Sequence, residues 1–233
     1  MQFVESFAID VSHEFRNPLA SMRASADMLR EVETQEERRR FLDIILRETA
    51  RMDHLLEDVR EISHIDARLD KEERKAVNLR ELLDAIVSGY QLRQDRNLHI
   101  ELAKIDGALL VDASPERLAQ VFENILDNAA GFSPQGGVVL VALSGQDGYA
   151  IVTITDQGPG IPEQHMNRIF ERFFTYRPGS SHEKDRHTGL GLAIVRAIVE
   201  GYGGSIRAEN AVGAGARFMI RLPLTRGGLR HAS

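Results

Sequence analysis

Apolar residues recur at Val4, Ala8, Val11, Phe15, Met22 and Leu29, in steps of three, four or their sum, the spacing that lines one face of an α-helix. The same rhythm returns at Phe41, Ile45, Met52, Leu55, Val59, Ile62 and Leu69, so a second long helix is expected. Between them "EVETQEERRR" is polar, and Thr34 stands three residues ahead of Glu37, the spacing of a capping box that would open the second helix. The pattern predicts a helical hairpin. A hairpin with one apolar stripe per helix has little to bury it against, so pairing with a second copy into a four-helix bundle, a homodimer, is expected.

After "DKEERKAVN" (70–78) the pattern changes. Glycines become frequent, and "GVVLVAL" (137–143), "YAIVTITD" (149–156) and "ARFMIRLPL" (216–224) read as strands. Helical spacing at Leu79–Leu92, Pro115–Ala130 and Leu190–Gly201 alternates with them, which predicts an α+β sandwich. The expected division is an all-α hairpin over residues 1–75, an α/β sandwich over 76–225 and a tail over 226–233. "RPGSSHEKDRHTG" (177–189) reads as a long loop.

Composition narrows the class. A length of 233 residues suits two modest domains, and 42% hydrophobic with 27% charged residues is ordinary for a soluble protein. No apolar run approaches the roughly 20 residues of a membrane span, so no direct membrane contact is expected. A net charge of −6 with dispersed Lys and Arg argues against a nucleic-acid partner. The lack of cysteine fits a reducing, cytoplasmic setting and excludes thiolate metal sites. "MQFVESFAID" lacks the basic and apolar regions of a signal peptide and starts almost inside a helix, which suggests the downstream part of a longer protein.

His13 lies two positions from both Val11 and Phe15, about 200° round a helix, so it should project away from the buried stripe. Glu14 is its neighbour and Asn17 shares its face four residues on. The plain reading is a surface histidine near a Pro18 kink. The chemical one is a nucleophilic imidazole whose other ring proton an adjacent carboxylate can hold. Asn124 and Asn128 share a helix face, where carboxamide oxygens can ligate Mg²⁺ without adding negative charge beside a triphosphate. In "DQGPGIP" (156–162), Asp156 at a strand end could accept from the exocyclic amine of a purine, and its glycines permit close backbone approach. "TGLGLAIVRAIV" (188–199) runs a glycine-rich loop into a helix whose N-terminus can meet phosphates, without matching the dinucleotide G-x-G-x-x-G. Each segment alone is a solvated face or a turn as readily as a site.

In this order the segments resemble the sensor histidine kinase family of two-component signalling, over nearly the whole chain. "SHEFRNPL" is similar to the family's H box, "ENILDNAAGFSP" to its N box, "DQGPGIP" to its G1 box, "RIFERFF" to its F box and "TGLGL" to its G2 box. The resemblance implies a dimerisation and phosphotransfer hairpin followed by a Bergerat-type ATP-binding sandwich like that of gyrase. Its cofactors would be ATP and Mg²⁺ and its partner a response regulator receiver domain. It places the chain in the cytoplasm, as the cytoplasmic part of a membrane-bound sensor if an anchor lies upstream. On its terms His13 is phosphorylated, Glu14 is the base, and Asn17 orients a water that hydrolyses the partner's phosphoaspartate. Asn128 holds Mg²⁺ with Asn124 assisting, and Asp156 reads the adenine amino group. Gly158, Gly160 and Ile161 shape the adenine pocket. Phe170, Phe173 and Phe174 pack the base of a lid over 177–188, Thr188, Gly189, Leu190, Gly191 and Leu192 wrap the phosphates, and Arg172 reaches the γ-phosphate.

Three positions depart from the family's pattern: Gly131 where a basic residue is usual, Thr175 where an arginine commonly follows the aromatics, and His187 at the first glycine of the G2 box. They point to weakened ATP affinity or slow autophosphorylation, with Arg172, Arg177 or Lys184 as replacement charges. Two other classes are weighed. A nucleotide-driven clamp or hydrolase of the same superfamily carries a glutamate four residues before the Mg²⁺ asparagine. Here that position is Asn124, and Glu123 lies about 100° round the helix. A non-catalytic scaffold would leave the nucleophile, base and nucleotide set without a use.

Overall fold

The computed structural model describes residues 2–69, 72–92, 99–103, 107–176, 188–211 and 215–225, and no side chains at 2–8, 64 or 66–69. Contacts divide the chain into two units, one of Met1–Ser63 with Glu171–Gly191 and one of His64–Phe170 with Leu192–Ser233. Residues 171–176 and 188–191, expected within the segment 76–225, thus group with the hairpin.

In the first unit helix α1 spans Gln2–Met28 and α2 begins at Gln35 and extends to Leu69. The capping box is present: the Glu37 N–H donates to Thr34 Oγ1 at 3.3 Å, and the Thr34 hydroxyl donates to Glu37 Oε2 at 2.6 Å. The helix continues unbroken through Pro18, where the sequence suggested a kink. The steps of seven in the apolar rhythm also have a cause. Pro18, Ser25 and Glu48, which fill the gaps 15–22, 22–29 and 45–52, are themselves buried, so both seams run in regular steps of three and four with non-apolar members. Glu48 is accommodated by the Arg51 guanidinium 3.9 Å away, one turn on.

The first strand of the second unit is β1, Lys75–Asn78, which runs into helix α3, Leu79–Leu92. Asn78 caps α3: its Oδ1 accepts from the Arg80 N–H at 3.1 Å, and its Nδ2 donates to Glu81 at 2.8 Å. Strands β2 (His99–Leu102) and β3 (Leu110–Ala113) precede helix α4, Pro115–Phe132. Strands β4 (Val138–Gln146) and β5 (Tyr149–Thr155), helix α5 (Gly191–Gly201) and strands β6 (Ser205–Asn210) and β7 (Ala216–Pro223) complete it. The main sheet has the order β2-β4-β5-β7-β6, with β2 parallel to β4 and every other pair antiparallel, while β1 and β3 form a separate antiparallel pair.

Burial alternates along β5 and β7, so one face of the sheet carries the core. Register lines up Val141, Ile154 and Phe218 across three strands, and beside them Leu143, Val152 and Ile220, all buried. Helix α4 covers this face with Leu118, Val121, Phe122, Ile125, Leu126 and Ala129, spaced by three and one. Its start is fixed by Pro115 at the first turn and by Ser114, whose hydroxyl accepts from the Arg117 N–H at 3.3 Å.

Candidate active site

The candidate residues fall in both units. On α1, His13 and Asn17 are exposed on one face, and Glu14 is half-buried with Oε2 3.5 Å from the Arg51 guanidinium. Sequence reading did not single out Arg51, because an arginine on a charged helix carries no signal of which carboxylate it meets. An exposed imidazole with a carboxylate one residue away is accessible to an incoming electrophile and has a proton acceptor at hand.

The glycine-rich segment at 188–191 belongs to the same unit. Thr188 is buried, accepts from the Leu190 N–H at 3.3 Å and donates its hydroxyl to Asp58 Oδ2 on α2. Burial pushes the Asp58 carboxyl above the ordinary carboxylate range, against the Thr188 hydroxyl and His54, which favour its charged form. Gly189 adopts φ +71°, and a Cβ there would stand 2.7 Å from the Phe173 carbonyl carbon, so glycine is required for conformation and for space. Phe173 itself has φ +60°. Arg172 and Phe174 are half-buried and Thr175 is exposed. Arg177, Lys184, His187 and the rest of 177–187 lie outside the described residues.

In the second unit, Asn124 and Asn128 are half-buried, one turn apart on α4, beside the buried stripe of that helix. Glu123 is exposed and does not share their position. Gly131 is half-buried in the last turn of α4, with no side chain to meet a phosphate.

Asp156 follows β5 directly and is 4% exposed. Its Oδ1 accepts from two backbone donors, Gly158 N–H at 2.8 Å and Ala216 N–H at 3.0 Å. Burial raises its carboxyl above the ordinary range, and those two bonds act the other way. Among the described residues no group bonds Oδ2, which leaves an acceptor with a fixed orientation for an amine. Gly158 lies against the end of α4, where a Cβ would come within 2.8 Å of the Phe132 carbonyl oxygen. Gly160 turns the loop at φ +77°. Ile161 and Leu192 are half-buried, and Phe170 packs edge-on against Phe218, ring centres 6.5 Å apart. Among the described residues no group of three His, Asp or Glu side chains gathers to hold a metal by itself. Carboxamides at Asn124 and Asn128 suit Mg²⁺ that arrives with phosphates and keeps several of its waters.

Residues 4–68 match the family model of the His Kinase A (phospho-acceptor) domain, and residues 113–226 match that of the histidine kinase-, DNA gyrase B- and HSP90-like ATPases. A phosphoacceptor hairpin joined to an ATPase domain of this kind is the catalytic core of a histidine kinase. The chain belongs to the sensor histidine kinase family. It is similar to the sensor protein ChvG of Rhizobium meliloti, 36% identical over 94% of this chain and 40% of ChvG. The chain thus spans well under half of that relative. A solved structure of the mycobacterial sensor histidine kinase MprB is 36% identical with a TM-score of 0.55, covering 65% of this chain and 97% of that one. Histidine kinase ThkA, solved in complex with response regulator protein TrrA, matches over 96% of this chain and 63% of its own, at 25% identity and a TM-score of 0.75.

Proposed function

We propose that the chain is the catalytic core of an ATP-dependent protein-histidine kinase that phosphorylates His13 and passes the group to an aspartate of a response regulator. The observation that carries this reading is the exposed His13 beside Glu14, on a helix within the segment matched by a phosphoacceptor domain. A ring nitrogen of His13 attacks the γ-phosphorus of ATP, the bond to the β,γ-bridging oxygen breaks, and ADP leaves with the electron pair. Glu14 takes the proton from the other ring nitrogen, and Arg51 keeps a positive charge beside that carboxylate. Asp156 and the glycine loop bind the base, and Gly189 and its neighbours meet the phosphates. Asn128, with help from Asn124, would hold Mg²⁺, which would supply neutralisation of phosphate charge there. The phosphohistidine then gives up its phosphoryl group to the receiver carboxylate.

Asn17, one turn beyond His13 on the same exposed face, supports a reverse activity in which it orients a water against the receiver's phosphoaspartate. A homodimer accords with Leu42, Leu46 and Leu56, which share one face of α2 and remain 48%, 67% and 53% exposed in the single chain. No helix among the described residues is long and apolar enough to cross a membrane, and cytoplasmic placement is part of the proposal.

The test is incubation with γ-labelled ATP and Mg²⁺ beside His13→Gln. Label on the native chain alone, lost in acid and stable in base, is expected. Equal label on His13→Gln, or an acid-stable linkage, overturns the assignment.

A further inference from the structure

Asn210 belongs to none of the motifs, yet it holds the loop that carries Asp156. Its Oδ1 accepts from the Ile161 N–H at 2.7 Å and its Nδ2 donates to the Ile161 carbonyl at 2.9 Å, so one carboxamide closes two hydrogen bonds on a single residue about fifty positions away in sequence. The fit is close. A Cβ on Gly160, at φ +77°, would come within 2.8 Å of Asn210 Oδ1.

Asn210 is the last residue of β6 and pairs in register with Ala216, the first of β7. Ala216 grips the other end of the same loop, its N–H donating to Asp156 Oδ1 at 3.0 Å and its carbonyl accepting from the Asp156 N–H at 2.9 Å. Gly215, between them, lies against the Asp156 backbone so closely that no Cβ fits. The mouth of one hairpin therefore holds residues 156–161 at both ends. Gln157, next to Asp156, adds a tie to the neighbouring strand, its Oε1 accepting from the Val138 N–H at 3.0 Å. Such a loop has a fixed shape before any ligand arrives, which lowers the ordering cost of binding.

The geometry points to Asn210 as a positioning residue for base recognition: it sets the loop conformation in which Asp156 meets a purine, without touching the nucleotide itself. This rests on the reading of the chain as an ATP-using kinase. The loop holds the base rather than the phosphates, so loss of Asn210 weakens ATP and ADP equally and blurs the choice between adenine and guanine nucleotides. It leaves the transfer step of bound ATP largely intact.

The experiment measures ATP, ADP and GTP binding to the full chain by calorimetry for wild type, Asn210→Ala and Asn210→Asp, with thermal melts and single-turnover phosphorylation at saturating ATP. Asn210→Ala should weaken ATP and ADP by about tenfold and narrow the ATP-over-GTP ratio, with the saturated phosphorylation rate within about twofold of wild type. Asn210→Asp, which keeps the acceptor for the Ile161 N–H but sets a carboxylate oxygen against the Ile161 carbonyl, should weaken binding at least as much as Asn210→Ala. Unchanged affinity and base preference in Asn210→Ala overturn the inference while leaving the kinase reading intact. An equal fall in saturated rate and affinity, with a lowered melting point, makes the residue merely structural and overturns it too. Failure of the wild type to bind ATP at all overturns the kinase reading, and this inference with it.

Discussion

Replacing Asp156 in two ways separates its structural part from its proposed recognition of the base. Its Oδ1 satisfies two backbone donors in a nearly closed site, while Oδ2 has no partner among the described residues. Asp156→Asn keeps an oxygen for Gly158 and Ala216 and removes a charge whose burial is unfavourable, so the fold should lose little or gain slightly. At the other position it puts an NH₂ where an acceptor stood. A purine amine facing that donor loses its hydrogen bond and gains a donor–donor contact. The cost is about 1–3 kcal/mol, or roughly 5- to 150-fold in ATP affinity. Asp156→Ala instead strands both N–H groups, at about 1–3 kcal/mol each, and should lower stability by ~2–6 kcal/mol. Calorimetric titration with ATP and thermal or urea unfolding of both variants make the test. The reasoning is refuted if Asp156→Asn binds ATP as tightly as wild type, or if it is destabilised as much as Asp156→Ala.

Two further outcomes are expected. The Asp58 carboxyl is raised above its ordinary 3.8 by burial, so the native state holds that proton more tightly than the unfolded chain; its contribution is fully present below 3.8 and is lost as pH rises through the folded value. Asp58→Asn, which keeps an acceptor for the Thr188 hydroxyl, should therefore flatten the fall in stability above pH 3.8, and parallel curves for wild type and variant from urea unfolding across that range would contradict it. Gly189→Ala forces a left-handed conformation and a Cβ onto the Phe173 backbone, so a loss of about 1–3 kcal/mol is expected, with reduced phosphorylation of His13; an unchanged melting point would count against the geometry.

The parts of the fold that could be read from the sequence were those whose signal is local and long. Helix α3 has the expected bounds, Leu79–Leu92, because its apolar face repeats over several turns and Asn78 marks its start. The capping box at Thr34 is likewise local, a matter of two residues three positions apart. Strands β1, β2 and β3 escaped notice for the opposite reason. "KAVN", "HIEL" and "LVDA" are four residues each, too short to show alternation, and exist only through partners distant in sequence. Strand β6, "SIRAEN", lies at the sheet edge with no buried residue, so no apolar alternation announced it.

The same distinction separates the candidate site residues that were legible from those that were not. His13, Asn128, Asp156 and Gly189 are found in the sequence because chemistry needs those residue types in short, ordered segments. Arg51, Asp58 and Asn210 act through side-chain contacts whose partners lie 37, 130 and 49 positions away, and nothing within their own neighbourhoods distinguishes them. A glycine shows that the backbone is crowded or turned, but not what crowds it. At Gly160 the neighbour is the Asn210 carboxamide, at Gly189 the Phe173 backbone. The motifs thus contain the groups proposed to meet nucleotide and phosphate. The residues that hold those groups in place emerge only from the pairing of strands and helices, and for that reason substitutions at Asn210 and Asp58 test the structural argument independently of the motifs.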